Sequence, residues 1–174
     1  MASVNRNSVR VQLDGGPTNI ETGVSVLDHL LRRLARSAGF GLALQVEPGS
    51  AEAEVTAAGT GLGEALAGPL RAPGAAGFGA AIMVSGEALA QVALEASDEP
   101  LVVSNVDLSE ARVAGMENDV VARFLERLAE GARLTMHVRL LNGTDTQHVL
   151  EAIFKALGVA LAAACTQPRL KVDA

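Results

Sequence analysis

The sequence predicts an α+β fold made of two similar halves, and three observations support this. Segments with apolar residues at helical spacing alternate with segments in which apolar and polar residues alternate, as in half-buried strands. Turn residues separate these segments. Positions in the second half match positions in the first at an offset of about 94 residues, and the matches include charges and turn glycines as well as leucines. We therefore expect one domain over residues 1–174, with helices covering one face of mainly antiparallel sheets and repeats at about 8–71 and 79–171.

The first half contains two predicted strands and two predicted helices. These are a strand over Ser8–Leu13, a helix from Ser25 to Gly39, a strand over Leu42–Val46 and a helix over Gly61–Leu70. Ser25 and Asp28 resemble a capping box, in which the hydroxyl accepts a backbone N–H of the first turn. The glycine-rich run at residues 59–63 is no phosphate-binding P-loop, because no Lys-Ser or Lys-Thr pair follows it, and it predicts close helix packing.

The second half repeats the order of helix, strand and helix. The predicted strands and helices are Phe78–Val84, Ala88–Glu95, Leu101–Leu108, the helix Asp119–Glu130, the strand Leu134–Leu140 and the helix Thr144–Ala164. Thr144 and Gln147 offer another capping box. The matched positions include Leu31 with Leu125, Arg33 with Arg127, Gly49 with Gly143 and, after one insertion, Val55 with Leu150. A chance match between two amphipathic units in a chain rich in Ala and Leu is the alternative to duplication.

Composition excludes several classes of function. The chain has 14 Lys and Arg against 20 Asp and Glu, a net charge of −6, with four Phe and neither Tyr nor Trp. A nucleic-acid partner is not expected, because base stacking needs aromatic side chains beside a basic surface. The single cysteine, Cys165, forms no intrachain disulfide and is most simply a small buried hydrophobe. No signal segment or uninterrupted membrane span is evident, so we expect a cytoplasmic protein without a membrane partner.

The three histidines are the main candidates for chemistry. His29 follows Asp28 in the first helix, and His148 precedes Glu151 by three residues in the last. Residues i and i+3 share a helix face, so one metal ion could contact both His148 and Glu151, although a hydrogen-bonded surface pair is the simpler interpretation. His137 lies in a strand pattern that is typical of a satisfied core histidine.

Three motifs resemble the imidazoleglycerol-phosphate dehydratases, the manganese lyases of histidine biosynthesis. They are the run Thr22–Leu31, which contains TGVSVLDHLL, the segment Gly86–Leu89, and the run His148–Ala156, which reads HVLEAIFKA. The resemblance extends from about Ser8 to Lys171. It implies an internally duplicated fold, which agrees with the offset found independently above.

The resemblance also implies two manganese ions, which histidines and glutamates hold and which bind the substrate imidazole and help to eliminate water. In the first motif Asp28 and His29 remain, but Ser37 stands where a second histidine is expected. The family's HHT-x-ED helix start aligns with residues 52–57, where only Glu54 could serve, as a displaced substitute.

In the last motif Gln147 replaces the first histidine, while His148, Glu151, Phe154 and Lys155 remain. His29, His148 and Glu151 are therefore the remnants of the metal site. A manganese site wants about six ligands, so we expect no bound metal and no cofactor.

The phosphate-binding motifs differ from the family in the same way. The family's Arg-Arg-Phe-Gly is Ala76–Gly79 here, and Glu99 stands where an arginine would meet the phosphate. A carboxylate at that position repels a dianion. Of the family's Ser-Thr-Lys near the C-terminus, only Lys171 remains as a phosphate-site remnant.

Three functions are consistent with these residues. The first is a dehydratase-like protein without catalytic activity, retained for binding or assembly. The second is an active dehydratase with a rebuilt site, and the third is an enzyme of the same fold acting on another small-molecule ligand. The resemblance implies trimers that manganese sites join into 24-subunit shells. Because most of those ligands are absent here, we expect a homo-trimer, or another small oligomer, in place of the full shell. New apolar or charged contacts that replace the metal links are the alternative.

Overall fold

The computed structural model describes residues 6–106 and 120–166, which form seven strands and four helices. In chain order these are β1 (Ser8–Gln12), β2 (Asn19–Glu21), α1 (Ser25–Ala38), β3 (Gly41–Gln45), α2 (Ala51–Leu70), β4 (Phe78–Ser85), β5 (Ala88–Ala96), β6 (Leu101–Ser104), α3 (Val120–Ala132), β7 (Leu134–Asn142) and α4 (Thr146–Cys165). The predicted α+β class is confirmed.

The strands form two mixed sheets. The first has three strands in the order β1-β3-β2, and the second has four in the order β4-β5-β7-β6. In the first sheet β3 pairs antiparallel with β1 and parallel with β2. In the second, β7 pairs antiparallel with β5 and parallel with β6, and β4 pairs antiparallel with β5 at the edge. Each sheet therefore has one parallel pair in addition to the expected antiparallel ones.

The two halves share their pattern of strand pairing. In the first half, β3 follows α1 and pairs antiparallel with β1 and parallel with β2. In the second half, β7 follows α3 and pairs antiparallel with β5 and parallel with β6, while β4 is an additional edge strand. A long helix ends each half within the described residues. A duplicated unit would give this pairing. The duplication stays a prediction, which superposition of the two halves tests.

The helices pack in pairs, α1 on α4 and α2 on α3, and α4 also lies over β4 and β5. Amphipathic sequences explain α1 and α3, because their apolar residues recur on one face. Leu27, Leu31 and Leu34 of α1 are completely buried, and Leu125 and Leu128 of α3 are at most 1% exposed. Phe124 of α3 stacks on Phe154 of α4 with ring centroids 5.7 Å apart. The core therefore joins both halves of the chain.

Glycines let α2 and α3 approach closely, as the glycine-rich run predicts. A Cβ at Gly59 would lie 2.9 Å from the Phe124 carbonyl oxygen, and one at Gly63 would lie 2.6 Å from that of Leu128. Real Cβ contacts are not that short, so a larger residue at either position would push the helices apart.

Both predicted capping boxes are wrong. The N-cap of α1 is Val24 without a side-chain cap, because the Asp28 carboxylate instead accepts hydrogen bonds from the backbone and hydroxyl of Thr22. The N-cap of α4 is Asp145, whose Oδ1 accepts from the His148 backbone N–H at 3.1 Å.

Several predicted boundaries also move. α2 begins at Ala51, ten residues before the predicted start, behind a Ser50 cap that accepts from the Ala53 N–H. β2 was not predicted, and β6 is described only as far as Ser104. The expected strand end at Leu108 and helix start at Asp119 lie outside the described residues.

Among the described residues, one helix is long and apolar enough to cross a membrane, namely Thr146–Cys165, which is α4. In its most apolar stretch, 72% of the residues are buried inside the protein. Burial of this kind is typical of the core helix of a soluble fold.

Candidate functional site

The candidate site lies where the first turn of α1, the turn between β4 and β5, and the first turns of α4 meet. His29 of α1 and Glu151 of α4 are 122 residues apart in sequence, yet His29 Nε2 and Glu151 Oε1 are 2.8 Å apart. The His29 side chain is 43% exposed and that of Glu151 only 11%. The pair therefore presents an imidazole to solvent above a carboxylate that is nearly buried.

Three side chains surround the Glu151 carboxylate. Ser85 Oγ donates to Oε2 at 2.8 Å, and Gln147 Nε2 lies 3.5 Å from the Oε1 that contacts His29. Hydrogen bonds from His29, and then from Ser85 and Gln147, lower the Glu151 pKa to about 2 although burial opposes the shift. Glu151 is therefore a fixed anion at neutral pH.

Glu87 and His148 form a second histidine–carboxylate pair beside the first. Glu87 Oε1 accepts from the backbone N–H groups of Thr144 and Asp145 at 3.2 and 2.8 Å, and its Oε2 lies 2.5 Å from His148 Nδ1. The backbone bond from Asp145 and the contact with His148 lower the Glu87 pKa to about 2. The same contact with Glu87 raises the pKa of His148. Glu87 thus fixes the β4–β5 turn to the start of α4.

Ser37 and Lys155 serve the packing of α1 on α4. Ser37 Oγ donates to the carbonyl oxygen of Lys155 at 2.8 Å, and a Cβ at Gly158 would lie 2.3 Å from that hydroxyl. The Lys155 ammonium donates to the Val84 carbonyl oxygen at 2.6 Å. Ser37 therefore lies at a close contact between α1 and α4, and this contact has no room for a bulkier side chain.

His29, His148 and Glu151 come together in one region, but not as the sequence suggested. His148 and Glu151 were expected to act together, either as ligands of one metal ion or as a surface pair. Each instead has its own partner, because the i and i+3 side chains point to Glu87 and to His29 respectively. The Glu54 carboxylate is buried and accepts from the Gly49 N–H at 3.1 Å.

The remaining predicted positions lie elsewhere. His137 is exposed on the outer face of β7, so the expectation of a core histidine is wrong. Cys165 is a free, buried thiol, as expected, and burial raises its pKa to about 11. Lys171, the predicted remnant of the phosphate site, lies outside the described residues.

Two residues of the site were not among the predicted site residues. Ser85 and Glu87 flank Gly86 in the turn between two predicted strands, and neither forms a spacing motif with a histidine. Their partners lie 66 and 61 residues away in sequence, so only the tertiary fold brings them into the site. The resemblance of Gly86–Leu89 to the family was the one available signal.

Comparison with known proteins identifies the family. A family model described as imidazoleglycerol-phosphate dehydratase matches residues 22–161, which include both histidine–carboxylate pairs. The chain belongs to the imidazoleglycerol-phosphate dehydratase family. The resemblance read from the sequence motifs is thereby confirmed.

Individual members of this family agree with the assignment. The chain is 38% identical over 162 residues to imidazoleglycerol-phosphate dehydratase of Desulforudis audaxviator (strain MP104C), covering 90% of this chain and 82% of that protein. It is 36% identical over 173 residues to the enzyme of Roseobacter denitrificans (strain ATCC 33942 / OCh 114), covering 95% and 88%. The crystal structure of the dehydratase from Staphylococcus aureus subsp. aureus N315 matches with a TM-score of 0.84 at 29% identity, covering 94% and 95% of the two chains.

The donor set described here does not fit the manganese ions that the family resemblance implies. Within residues 6–106 and 120–166, no group of three His, Cys, Asp or Glu side chains is placed to hold a metal ion. Both oxygens of Glu151 and both of Glu87 are already hydrogen-bonded to protein groups. Manganese would have to displace these partners and would still find few ligands.

Proposed function

We propose that this member of the imidazoleglycerol-phosphate dehydratase family has lost dehydratase activity. The observation that carries the proposal is the pairing of the candidate ligands with other protein groups. His29 is hydrogen-bonded to Glu151, and His148 is hydrogen-bonded to Glu87. Each imidazole thus contacts a carboxylate, and the two do not face a common metal centre.

The chemistry that remains is proton transfer and hydrogen bonding. The two imidazoles are each about two-fifths exposed, at 43% for His29 and 42% for His148, and could hydrogen-bond a ligand. Elimination of water needs a base that removes a proton from one carbon and an acid that protonates the hydroxyl leaving the next, and it also needs the substrate to be held in position. The two pairs supply proton-transfer groups, and Lys171, the expected remnant of the phosphate site, lies outside the described residues.

Acidic residues in the segment before β6 support the same proposal. Glu99, which stands where the family motif has arginine, is exposed, and the neighbouring Asp98 pairs with Arg133. At position 99 a phosphate dianion would meet a carboxylate where the family motif has a guanidinium, and the Arg133 guanidinium nearby is already paired with Asp98. A decline in phosphate binding would therefore accompany the loss of metal binding.

An active dehydratase with a rebuilt site is the second candidate. Relatives that carry the dehydratase name are 34–39% identical to the chain, and His29, His148, Glu151 and Lys155 persist in it. An enzyme of the same fold that acts on another small molecule remains a third outcome of the tests.

Turnover of imidazoleglycerol phosphate tests the proposal. The purified chain is assayed with added Mn²⁺, beside the Desulforudis audaxviator relative as a positive control. We expect no product above the background of the His29→Ala, Glu151→Ala double variant. Turnover that this double variant loses would establish the rebuilt site instead. A ligand of another class would raise the melting temperature without turnover of this substrate.

We also propose that the chain forms a homo-oligomer, with the trimer as the expected state. One face of the four-stranded sheet carries large exposed apolar side chains, which supports association. Contacts of this kind need no metal, since burial of apolar surface is enough to hold them. Nothing in the composition or charge favours a nucleic-acid partner, and a cytoplasmic location stays a prediction.

A further inference from the structure

A cavity of about 460 Å³ lies between the loop that joins β1 to β2 and the C-terminal half of α1. Its volume suits a small molecule, since ligand pockets in proteins usually measure about 300–1,000 Å³. None of the residues in the two histidine–carboxylate pairs lines it, so the cavity is separate from the candidate site. Its polar lining comes from Gly15, Gly16 and Thr18 of the loop and from Arg32 and Arg36 of α1.

Arg32 and Arg36 give this cavity a positive charge. They are four residues apart on α1, so they lie on the same face of the helix with Cβ atoms roughly 6 Å apart. Both are exposed, and neither forms an ion pair within the part of the chain that the structure describes. Among the described residues that line the cavity there is no Asp or Glu. The charge of the two guanidinium groups is therefore not offset inside the cavity.

A structural role explains only one of the two arginines. Arg36 lies in the last turn of α1, where a positive charge stabilises the helix dipole. Arg32 lies one turn earlier, and its hydrogen bond to the Ile20 carbonyl oxygen is 3.4 Å long. A guanidinium has five N–H donors, so this one contact leaves most of the Arg32 donors for a ligand.

The rest of the lining suits the organic part of an anionic ligand. Ala35 and Phe40 are 1% and 5% exposed and contribute apolar surface. Thr18 is exposed and adds a hydroxyl group. Gly16 has no side chain and a φ of +154°, so the loop backbone is open to close approach by a ligand. A single phosphate group is much smaller than the cavity, which therefore has room for an organic group attached to it.

We propose that this cavity binds a small phosphate monoester, with Arg32 and Arg36 on the phosphate and Ala35 and Phe40 against the organic group. Guanidinium groups bind phosphate through paired N–H donors, and two of them match the charge of a dianion. The proposal does not rest on the loss of dehydratase activity, because the cavity shares no residue with the histidine–carboxylate pairs. It gives the chain a ligand-binding role that is independent of turnover.

Isothermal titration calorimetry of the full chain with phenyl phosphate tests the cavity. At about pH 7.5 this probe is a dianion, because the second pKa of a phosphate monoester is about 6. We expect saturable binding at one site per chain. Inorganic phosphate should bind more weakly because it lacks the organic group, and benzoate because it carries a single charge. The Arg32→Gln, Arg36→Gln double variant should lose about tenfold in affinity for each arginine, the effect of removing one charge-assisted contact.

Two control variants separate the cavity from other sources of binding. Arg127→Gln, Arg139→Gln removes the same two charges from α3 and β7, outside the cavity, and should bind phenyl phosphate as the unmodified chain does. The His29→Ala, Glu151→Ala variant should also keep its affinity, whatever the outcome of the turnover assay. Far-UV circular dichroism verifies that every variant is folded.

Three results would overturn the proposal. They are the absence of saturable binding of phenyl phosphate to the unmodified chain, an equal loss of affinity in both arginine variants, and a loss of binding in the His29→Ala, Glu151→Ala variant. The second result would indicate general attraction of anions to surface charge, and the third would place the ligand at the candidate site. Tighter binding of benzoate than of phenyl phosphate would refute a phosphate ligand.

Discussion

Truncation of Glu151 to alanine is the change that most directly tests the contacts at the candidate site. Its carboxylate accepts hydrogen bonds from His29 and Ser85, both at 2.8 Å, and the side chain is 11% exposed. Loss of two such bonds, at about 1–1.5 kcal/mol each, should lower the free energy of unfolding by about 2–3 kcal/mol. For a domain of this size we expect a melting temperature lower by roughly 4–12 °C. Glu151→Gln should cost less, because the amide keeps an acceptor for Ser85 and a donor for His29.

Urea unfolding followed by far-UV circular dichroism measures this loss. The midpoint should fall while the slope against urea stays unchanged, since both proteins expose similar surface on unfolding. A double-mutant cycle with His29→Ala then isolates the contact between the two side chains, with an expected coupling of about 0.5–2 kcal/mol. Strictly additive effects of the two substitutions, or an unchanged midpoint in Glu151→Ala, would refute the reasoning.

Three other outcomes follow from the structure. Glu151 and Glu87 have pKa values lowered from 4.5 to about 2, so their stabilisation is complete above about pH 4.5 and is lost as the pH falls towards 2, which urea midpoints across that range measure. Burial raises the pKa of Cys165 to about 11, so a thiol reagent at pH 8 should modify it far more slowly in the native protein than in urea. Gly158→Ala should destabilise by about 1–3 kcal/mol because its Cβ meets α1 at 2.3 Å, whereas Gly68→Ala, with open space around it, should not.

Strong local patterns predicted the helices and strands well, and weak ones did not. α1 was found because its leucines recur on one face, and β5 because turn residues separate it from the neighbouring strands. The first ten residues of α2 were missed because Ala, Glu and Gly in that stretch show no clear apolar face. The predicted cap of α1 is wrong because the Asp28 carboxylate accepts a hydrogen bond from the backbone N–H of Thr22, six residues earlier in the chain. Helix-capping preferences do not show that another residue competes for the same side chain.

The candidate site was predictable as a set of residues but not as a set of contacts. The motifs singled out His29, His148 and Glu151, and all three reach the same region of the fold. The spacing of His148 and Glu151 on the helix suggested that these two residues act together. In the structure, Ser85 instead contacts Glu151 and Glu87 contacts His148, and both come from the β4–β5 turn. The partner of each side chain depends on how α1, α4 and the β4–β5 turn pack together. Helical periodicity does not indicate that packing.

Manganese content tests the account most directly. The full chain is purified without chelator from cells supplied with Mn²⁺, and bound metal is measured per chain by elemental analysis. Because His29, His148, Glu151 and Glu87 are bonded to one another in two pairs, we expect well under one ion per chain and no rise in melting temperature on adding Mn²⁺. Two tightly held ions per chain, lost in the His29→Ala, Glu151→Ala variant, would contradict the proposed loss of the metal site.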